Sequence, residues 1–484
     1  MIEKYIEKEI MRQVKLTEYL FECRQLPIGD LAIRLKVSLN TVKRDFDKLI
    51  FLLEPYVVKY KMMNTQVYLE FNSECTRYML IKELYQHSKF LSVCSRYLQG
   101  KDDYLDIVNE EFVSVTKAFK LKKQVENYFI EAGILNENKK WINNESVIRL
   151  VMLSVWMRIP MPEYLIDDTK MNLVHELVKQ LLEEMSNNYI KKNREYSFLA
   201  LSIYLTIIRE KDHPVQDLTF NLGEYHESLI FRTIKDKSSM IFKDIHLSND
   251  EIVFLMTIYK NIPLNANNYM LLQMNYQYDR KFVIESNPYV KPLIFLFEEE
   301  FNNTFINQIL FERPLIFFCY STWNNIQSFI VYRHHYLNNE QIHQRKRIEK
   351  VLYRWKEQYL PYYSLQFDPL AIEWFTSQIT MSLSFKQQQK RIFFIVAESE
   401  ESHILYRELL NHWLNLDYNT IDSFLYYSID ELPTYIQKNP YSIVCERSVL
   451  FDRGKLMSNL FPISRSSVKR DLKRILTESL NLRE

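Results

Sequence analysis

Between residues 38 and 48 the sequence SLNTVKRDFDK carries Asn40, Thr41, Lys43, Arg44 and Lys48 on the polar side of an amphipathic stretch. These side chains hydrogen-bond phosphate oxygens and base edges, amides matching adenine and cationic groups matching guanine or phosphate. On a helix they share one face, because residues three and four apart lie on the same side. Ser38 is placed to start that helix, its hydroxyl accepting from a free amide of the first turn. Similar chemistry recurs in VSVTKAFKLKKQV, residues 113–125, where Thr116, Lys117, Lys120 and Lys123 form the polar side. Lysines in this density suit phosphate positioning on double-stranded DNA more than base readout.

These faces need elements to hold them. Ile28, Leu31, Ala32 and Leu35 form one apolar face of a short helix, which Lys36 and Val37 interrupt. Val42, Phe46, Leu49 and Leu53 then repeat at the spacing of a single buried stripe, so the second helix packs on the first. Next comes YVVKYKMMNTQVYLEF, residues 56–71, whose alternating β-formers flank Asn64 and Thr65 in the manner of a hairpin. Helix, turn, reading helix and hairpin together predict a winged helix-turn-helix. Laying Val113-Ser114 on Val37-Ser38 puts Ala118 on Val42 and Val125 on Leu49, with Lys122 on Phe46 as the misfit. A second helix-turn-helix is expected there.

Composition narrows the alternatives. Five glycines, at 29, 100, 133, 223 and 454, cannot build G-x-G-x-x-G or Walker-type phosphate cradles. The formal charge of +1 means that any basic patch must be local. Five cysteines without a C-x-x-C fit a reducing cytosol. The N-terminal residues lack an apolar leader core, and runs such as Phe198 to Ile208 fall short of the roughly 18 residues that span a bilayer. No membrane association is expected. None of the ten histidines stands in H-E-x-x-H, and no nucleophile elbow or carboxylate pair emerges. No metal, cofactor or catalytic centre is expected.

With 484 residues the chain calls for roughly three to five domains. Scarce glycine and apolar repeats at three and four residues predict a mainly α protein. Punctuation at Ile159 to Pro162, at Asn261 to Pro292 and at Lys386 to Arg391 divides it, leaving 165–265 and 290–385 as two all-helical blocks. From Arg391 the order IFFIVAE, amphipathic 402–416, YSIVCE and a closing helix from Ser464 predicts a small α/β domain with a partly parallel sheet. The stripe Val468, Leu472, Ile475 and Leu476 should pack that last helix on the sheet. In the first block the apolar run 198–208 ends by delivering His213 at an exposed corner before Pro214, where an imidazole could be modified.

This arrangement resembles the Mga/AtxA group of virulence regulators over nearly the whole chain. The carriers are VSLNTVKRDFDKLI with its hairpin, VSVTKAFKLKKQV, LALSIYLTIIREKDH and RIFFIVAESEESHILYRELL, in that order. The resemblance implies two winged helix-turn-helix modules, the first at 1–72 and the second at 73–162. It also implies phosphotransferase-system (PTS) regulation domains at 163–275 and 276–388, and a domain similar to an EIIB component at 389–484. By position His213 matches the regulatory phosphorylation site of the first regulation domain. His334, His335 and His343, read as lying on early helices of the second, give no clean match. The first strand of an active EIIB leads into a phosphorylated cysteine loop, but Val396-Ala397-Glu398-Ser399-Glu400 holds no cysteine.

The implied protein is a cytoplasmic, non-enzymatic transcription regulator. It binds double-stranded DNA as a homodimer and meets a PTS phosphocarrier transiently. Self-association is implied in the last domain, at an apolar edge around Phe393, Phe394 and Ile443. Two other classes share parts of this pattern. An RNA-binding antiterminator is disfavoured because a reading helix cannot enter the deep groove of A-form RNA. A phosphotransfer component of sugar uptake is disfavoured by the missing cysteine.

Overall fold

The structure is a computed structural model that describes all residues except 186, 189–193, 217–227, 263–264, 267, 324, 364, 385–390, 415–418, 434–435, 437–440, 451–458 and 482–484. The described residues are mainly helical, with a small parallel sheet near the C-terminus. They form two compact units, Met1–Leu383 and Ser384–Glu484.

The first unit opens with α1 (Lys8–Cys23), β1 (Gln25–Pro27), α2 (Ile28–Leu35), α3 (Leu39–Leu52), β2 (Val57–Met62) and β3 (Gln66–Phe71). The apolar stripes of α2 and α3 are buried as their spacing predicts: Leu31, Val42, Leu49 and Leu53 are fully covered. The hairpin forms as read, with Met62 opposite Val67, and β1 adds a third antiparallel strand by placing Leu26 opposite Val67 on the other side. Then follow α4 (Arg77–Tyr85), α5 (Lys89–Tyr97), α6 (Tyr104–Glu111), α7 (Val115–Glu131) and α8 (Glu145–Trp156).

Next come α9 (Asp168–Glu184), α10 (Arg194–Arg209), α11 (Leu229–Ile241) and α12 (Asn249–Lys260). One continuous apolar core runs from Ile2 through Ile262 and takes in Ile326, Phe329 and Val331, so these helices share their interior with the N-terminal elements. The block is not purely helical, since the two-residue strands β4 (Asn187–Asn188) and β5 (Asn265–Ala266) pair antiparallel.

A second core belongs to α13 (Tyr269–Arg280), α14 (Val290–Phe301), α15 (Ile309–Trp323), α16 (Asn339–Tyr359) and α17 (Pro369–Ser384). The segment Asn261 to Pro292, read as interdomain punctuation, holds α13 and a π-helical turn, Lys281–Glu285. Its asparagines serve as caps: the Asn268 side chain accepts from Leu271 N–H at 2.9 Å, starting α13. His334 and His335 also depart from the reading. They lie on no helix but on a segment without regular secondary structure between the turn Gln327–Phe329 and α16.

The second unit contains β6 (Arg391–Val396), α18 (Glu400–Trp413), β7 (Asn419–Ile421), β8 (Ser442–Glu446), β9 (Leu460–Ile463) and α19 (Val468–Asn481). The strands pair in the order β7-β6-β8-β9, all parallel. Apolar side chains cover both faces, Phe393, Val444 and Phe461 on one and Phe394, Ile443 and Cys445 on the other. Leu472 and Ile475 of α19 are buried against the first face. Phe393, Phe394 and Ile443 therefore form no exposed edge: β6 and β8 are the inner strands, and all three side chains are enclosed. Lys386 to Lys390 and most of Phe451 to Phe461, with Gly454, lie outside the described residues.

Candidate nucleic-acid interface

The turn between α2 and α3 is built by three residues. Lys36 adopts the left-handed conformation (φ 55°, ψ 47°), its N–H donating to Ile33 O at 3.2 Å while Val37 N–H donates to Ala32 O at 3.0 Å. This pair of bonds satisfies the last carbonyls of α2 and stops it. Ser38 then accepts from Thr41 N–H at 3.2 Å and starts α3. Helix α3 is held from behind by Arg12 of α1, whose guanidinium makes two bonds to the fully buried carboxylate of Asp45, one of 3.1 Å.

On the outer side Asn40 and Arg44 are exposed, and Thr41 and Lys43 are half-buried. Lys43 and Arg44 make no ion pair among the described residues. Lys48, predicted on the same face, is exposed but bonds to Glu9 of α1 and holds that carboxyl below its usual range. It anchors α3 as well as adding charge. Lys59, Tyr60 and Lys61 of β2 are exposed on a strand that contacts α3.

The second helix pair repeats this construction 76 positions on, by alignment of Val113-Ser114 with Val37-Ser38. Phe112 is left-handed (φ 49°, ψ 51°), Val113 N–H donates to Val108 O at 3.3 Å, and Ser114 accepts from Lys117 N–H at 3.4 Å. Ala118 and Val125 are fully buried as the alignment requires. Lys122, the misfit, leaves the core: its ammonium donates to Asp102 O at 2.6 Å and pairs with the Asp102 carboxylate at 3.3 Å. Leu121, one residue earlier, is buried instead. Thr116, Lys117, Lys120 and Lys123 are all exposed, and the three lysines make no ion pair among the described residues. Where the first pair has a three-stranded sheet, the second is followed by a single bridge, Leu135 to Trp141.

His213 sits where the sequence put it, exposed just beyond α10, with its N–H on Arg209 O at 2.8 Å. Sequence reading missed what lies beneath. The His213 carbonyl accepts from Arg149 of α8 at 3.0 Å, and Arg149 is wholly buried. Its guanidinium also reaches Glu145 at 2.8 Å, Thr206 at 3.2 Å and both carboxylate oxygens of Glu251, one at 2.9 Å. Arg209 closes the network on Glu145 with bonds of 2.6 and 2.9 Å. The available signal was Glu145 and Arg149, four apart in a helix whose other residues are apolar but for two serines.

A second missed constellation joins α1 and α2 to the α13–α17 bundle. Along the segment before α16, Arg333 pairs with Glu22 of α1 and His334 N–H donates to Glu18 at 2.7 Å. His335 N–H donates to Glu373 of α17 at 2.8 Å, and Arg34 of α2 lies over the Tyr336 ring at 4.0 Å. The His334 imidazole is 3.4 Å from Glu3. Burial opposes charge on both, but their mutual attraction wins: Glu3, helped by Arg158 and Lys15, is held down at about 2, and His334 is raised by Glu3 and Glu18. Burial and then the cations Arg333, Arg77, His334 and Arg194 push His335 down to about 3.

In the second unit the loop after β6 is closed by Glu446, which accepts from Glu398 N–H at 2.9 Å, Ser402 Oγ at 3.2 Å and the Tyr406 hydroxyl at 2.9 Å. The neighbouring Cys445 is buried, which with the Glu446 charge pushes its thiol up to about 12. It is no ready nucleophile. Among the described residues no group of three or more His, Cys, Asp or Glu is placed to hold a metal, and no helix is long and apolar enough to cross a membrane. No protein-family model matches the chain, and no curated protein matches it significantly.

Proposed function

We propose that the chain is a DNA-binding transcription regulator, with helix-turn-helix modules at 1–72, which is winged, and at 73–162. The observation that carries this reading is the repeated turn. Lys36-Val37-Ser38 and Phe112-Val113-Ser114 share a left-handed residue, a chain-reversing valine amide and a serine cap. Each is followed by a helix whose outer face holds cations that form no ion pair among the described residues. Such a helix fits the major groove, with its first turns on the bases and its lysines on phosphates.

The resemblance to the Mga/AtxA group extends the proposal. Residues 163–275 and 276–388 act as PTS regulation domains, 389–484 is EIIB-like, and the protein works as a homodimer visited by a PTS phosphocarrier. A phosphoryl group on His213 adds negative charge at a corner whose backbone is already fixed by Arg149, which gives the signal a direct route into α8 and α12. With Glu446 filling the loop after β6, the EIIB-like domain serves as a structural part and carries no phosphate. The test is selection of duplexes from a random pool by the intact chain. Enrichment of a sequence with two adjacent elements supports the reading, and a pool that stays random after repeated rounds rejects it.

A further inference from the structure

The outer faces of the two helices differ at several positions, and one difference is apolar against charged: where α3 carries Lys43, α7 carries Phe119. Beside it Val115 stands where α3 carries Leu39, which is likewise apolar and exposed. Phe119 is 52% and Val115 49% exposed, although both belong to the first two turns of α7. The Phe119 ring is not loose: it stacks on Tyr104 of α6 with centroids 4.4 Å apart, so its outward edge is presented in a fixed orientation. Val115, Thr116, Phe119, Lys120 and Lys123 line a shallow concavity of about 430 Å³. An apolar floor thus sits among lysine ammonium groups that form no ion pair among the described residues.

A phosphate backbone has no use for the apolar floor, and a purely apolar partner has none for the lysines. In the major groove guanine, cytosine and adenine offer hydrogen-bonding groups, whereas thymine alone adds a methyl group, which phenylalanine and the methyl of threonine contact well. Phenylalanine has no donor with which to pair guanine or adenine. We infer that α7 recognises thymine methyl groups through Phe119 and Val115, while Lys117, Lys120 and Lys123 hold the flanking phosphates. This rests on the DNA-binding reading and deepens it. The first module, with Asn40, Lys43 and Arg44, reads polar base edges, and the second selects A·T-rich sequence beside it.

The experiment compares binding of the intact chain to alternating dA-dT and alternating dA-dU duplexes, which differ only in the thymine methyl, by fluorescence anisotropy at one fixed salt concentration. The intact chain should prefer the dA-dT duplex by about fourfold for each methyl that is sealed from water. Phe119→Ala should lose affinity for dA-dT alone and narrow the ratio, Phe119→Ala/Val115→Ser should bring it to about one, and Lys120→Gln should weaken both duplexes equally. Equal binding of the two duplexes by the intact chain overturns the inference and leaves DNA binding standing. A Phe119→Ala protein that keeps the full preference overturns it too, because the methyls are then read elsewhere. Failure to bind these or any mixed-sequence duplex overturns the DNA-binding reading itself.

Discussion

Replacing Arg149 by Met should destabilise the first unit more than any single change on its surface. The side chain is fully buried, and every one of its donor groups is engaged, on Glu145, Thr206, Glu251 and the His213 carbonyl. Methionine fills similar space but leaves the Glu251 carboxylate enclosed, with Val215 N–H at 2.9 Å as its remaining bond from the loop. Removing one partner of a buried ion pair costs about 3–5 kcal/mol, because the other charge stays desolvated. At about 2.1 cal/mol/K of unfolding entropy per residue, a unit running from Met1 to Leu383 shifts by roughly 1.2 °C per kcal/mol, so its calorimetric transition should fall by roughly 4–6 °C. Adding Glu251→Leu should recover much of the loss, since an apolar pair of similar volume needs no compensation. Amide exchange at Val215 should quicken in the single variant, reporting release of the His213 corner. A fall under about 1 kcal/mol, or a double variant no more stable than Arg149→Met alone, would refute the reasoning.

Other outcomes follow from the same structure. The raised pKa of His334 means that its contribution is fully present below the ordinary imidazole value of 6.5 and is lost as pH rises through the higher folded value. Glu3 gives the opposite limb, present above 4.5 and lost as pH falls toward about 2. Urea midpoints of the intact chain should therefore decline as pH rises above 6.5 more steeply than those of His334→Gln, and equal slopes would count against the imidazolium. Ser38→Ala and Ser114→Ala should each cost about 0.5–2 kcal/mol in thermal unfolding, through loss of the bonds to Thr41 and Lys117; no change at either site would deny the cap. Changing Lys117, Lys120 and Lys123 to Gln should reduce the slope of log affinity against log salt by about 0.9 for each phosphate no longer neutralised, and an unaltered slope would show the lysines to be merely solvated.

Local features were legible where local physics decides them. The stripe Val42, Phe46, Leu49, the Ser38 cap and the hairpin around Asn64 all arise from periodicity and turn chemistry within a few residues. The apolar runs of β6 and β8 likewise announced the parallel sheet, whereas β7 and β9, with three and four residues, are too short to show a pattern. Pairings between distant residues were not legible. Nothing local marks Asp45 as a buried charge until Arg12 is placed against it, and Lys48 reads as a free cation until Glu9 is. His334 meets Glu18 across 316 positions, and Arg149 meets Glu251 across 102. Nothing within either neighbourhood announces the other, because burial of a charge is set by the tertiary partner that compensates it. The placement of Phe393, Phe394 and Ile443 failed for the same reason: their exposure depends on whether β6 and β8 are edge or inner strands.

Whether α3 reads duplex DNA is decided by titrating a selected duplex with the intact chain and with Lys43→Ala/Arg44→Ala at one salt concentration. Both side chains lie on the outer face and neither supports the core, so the variant should keep its helical content and thermal transition. The expected loss is about 1–3 kcal/mol for each base interaction removed. Unchanged affinity in a folded variant would contradict the assignment of α3 as the reading helix.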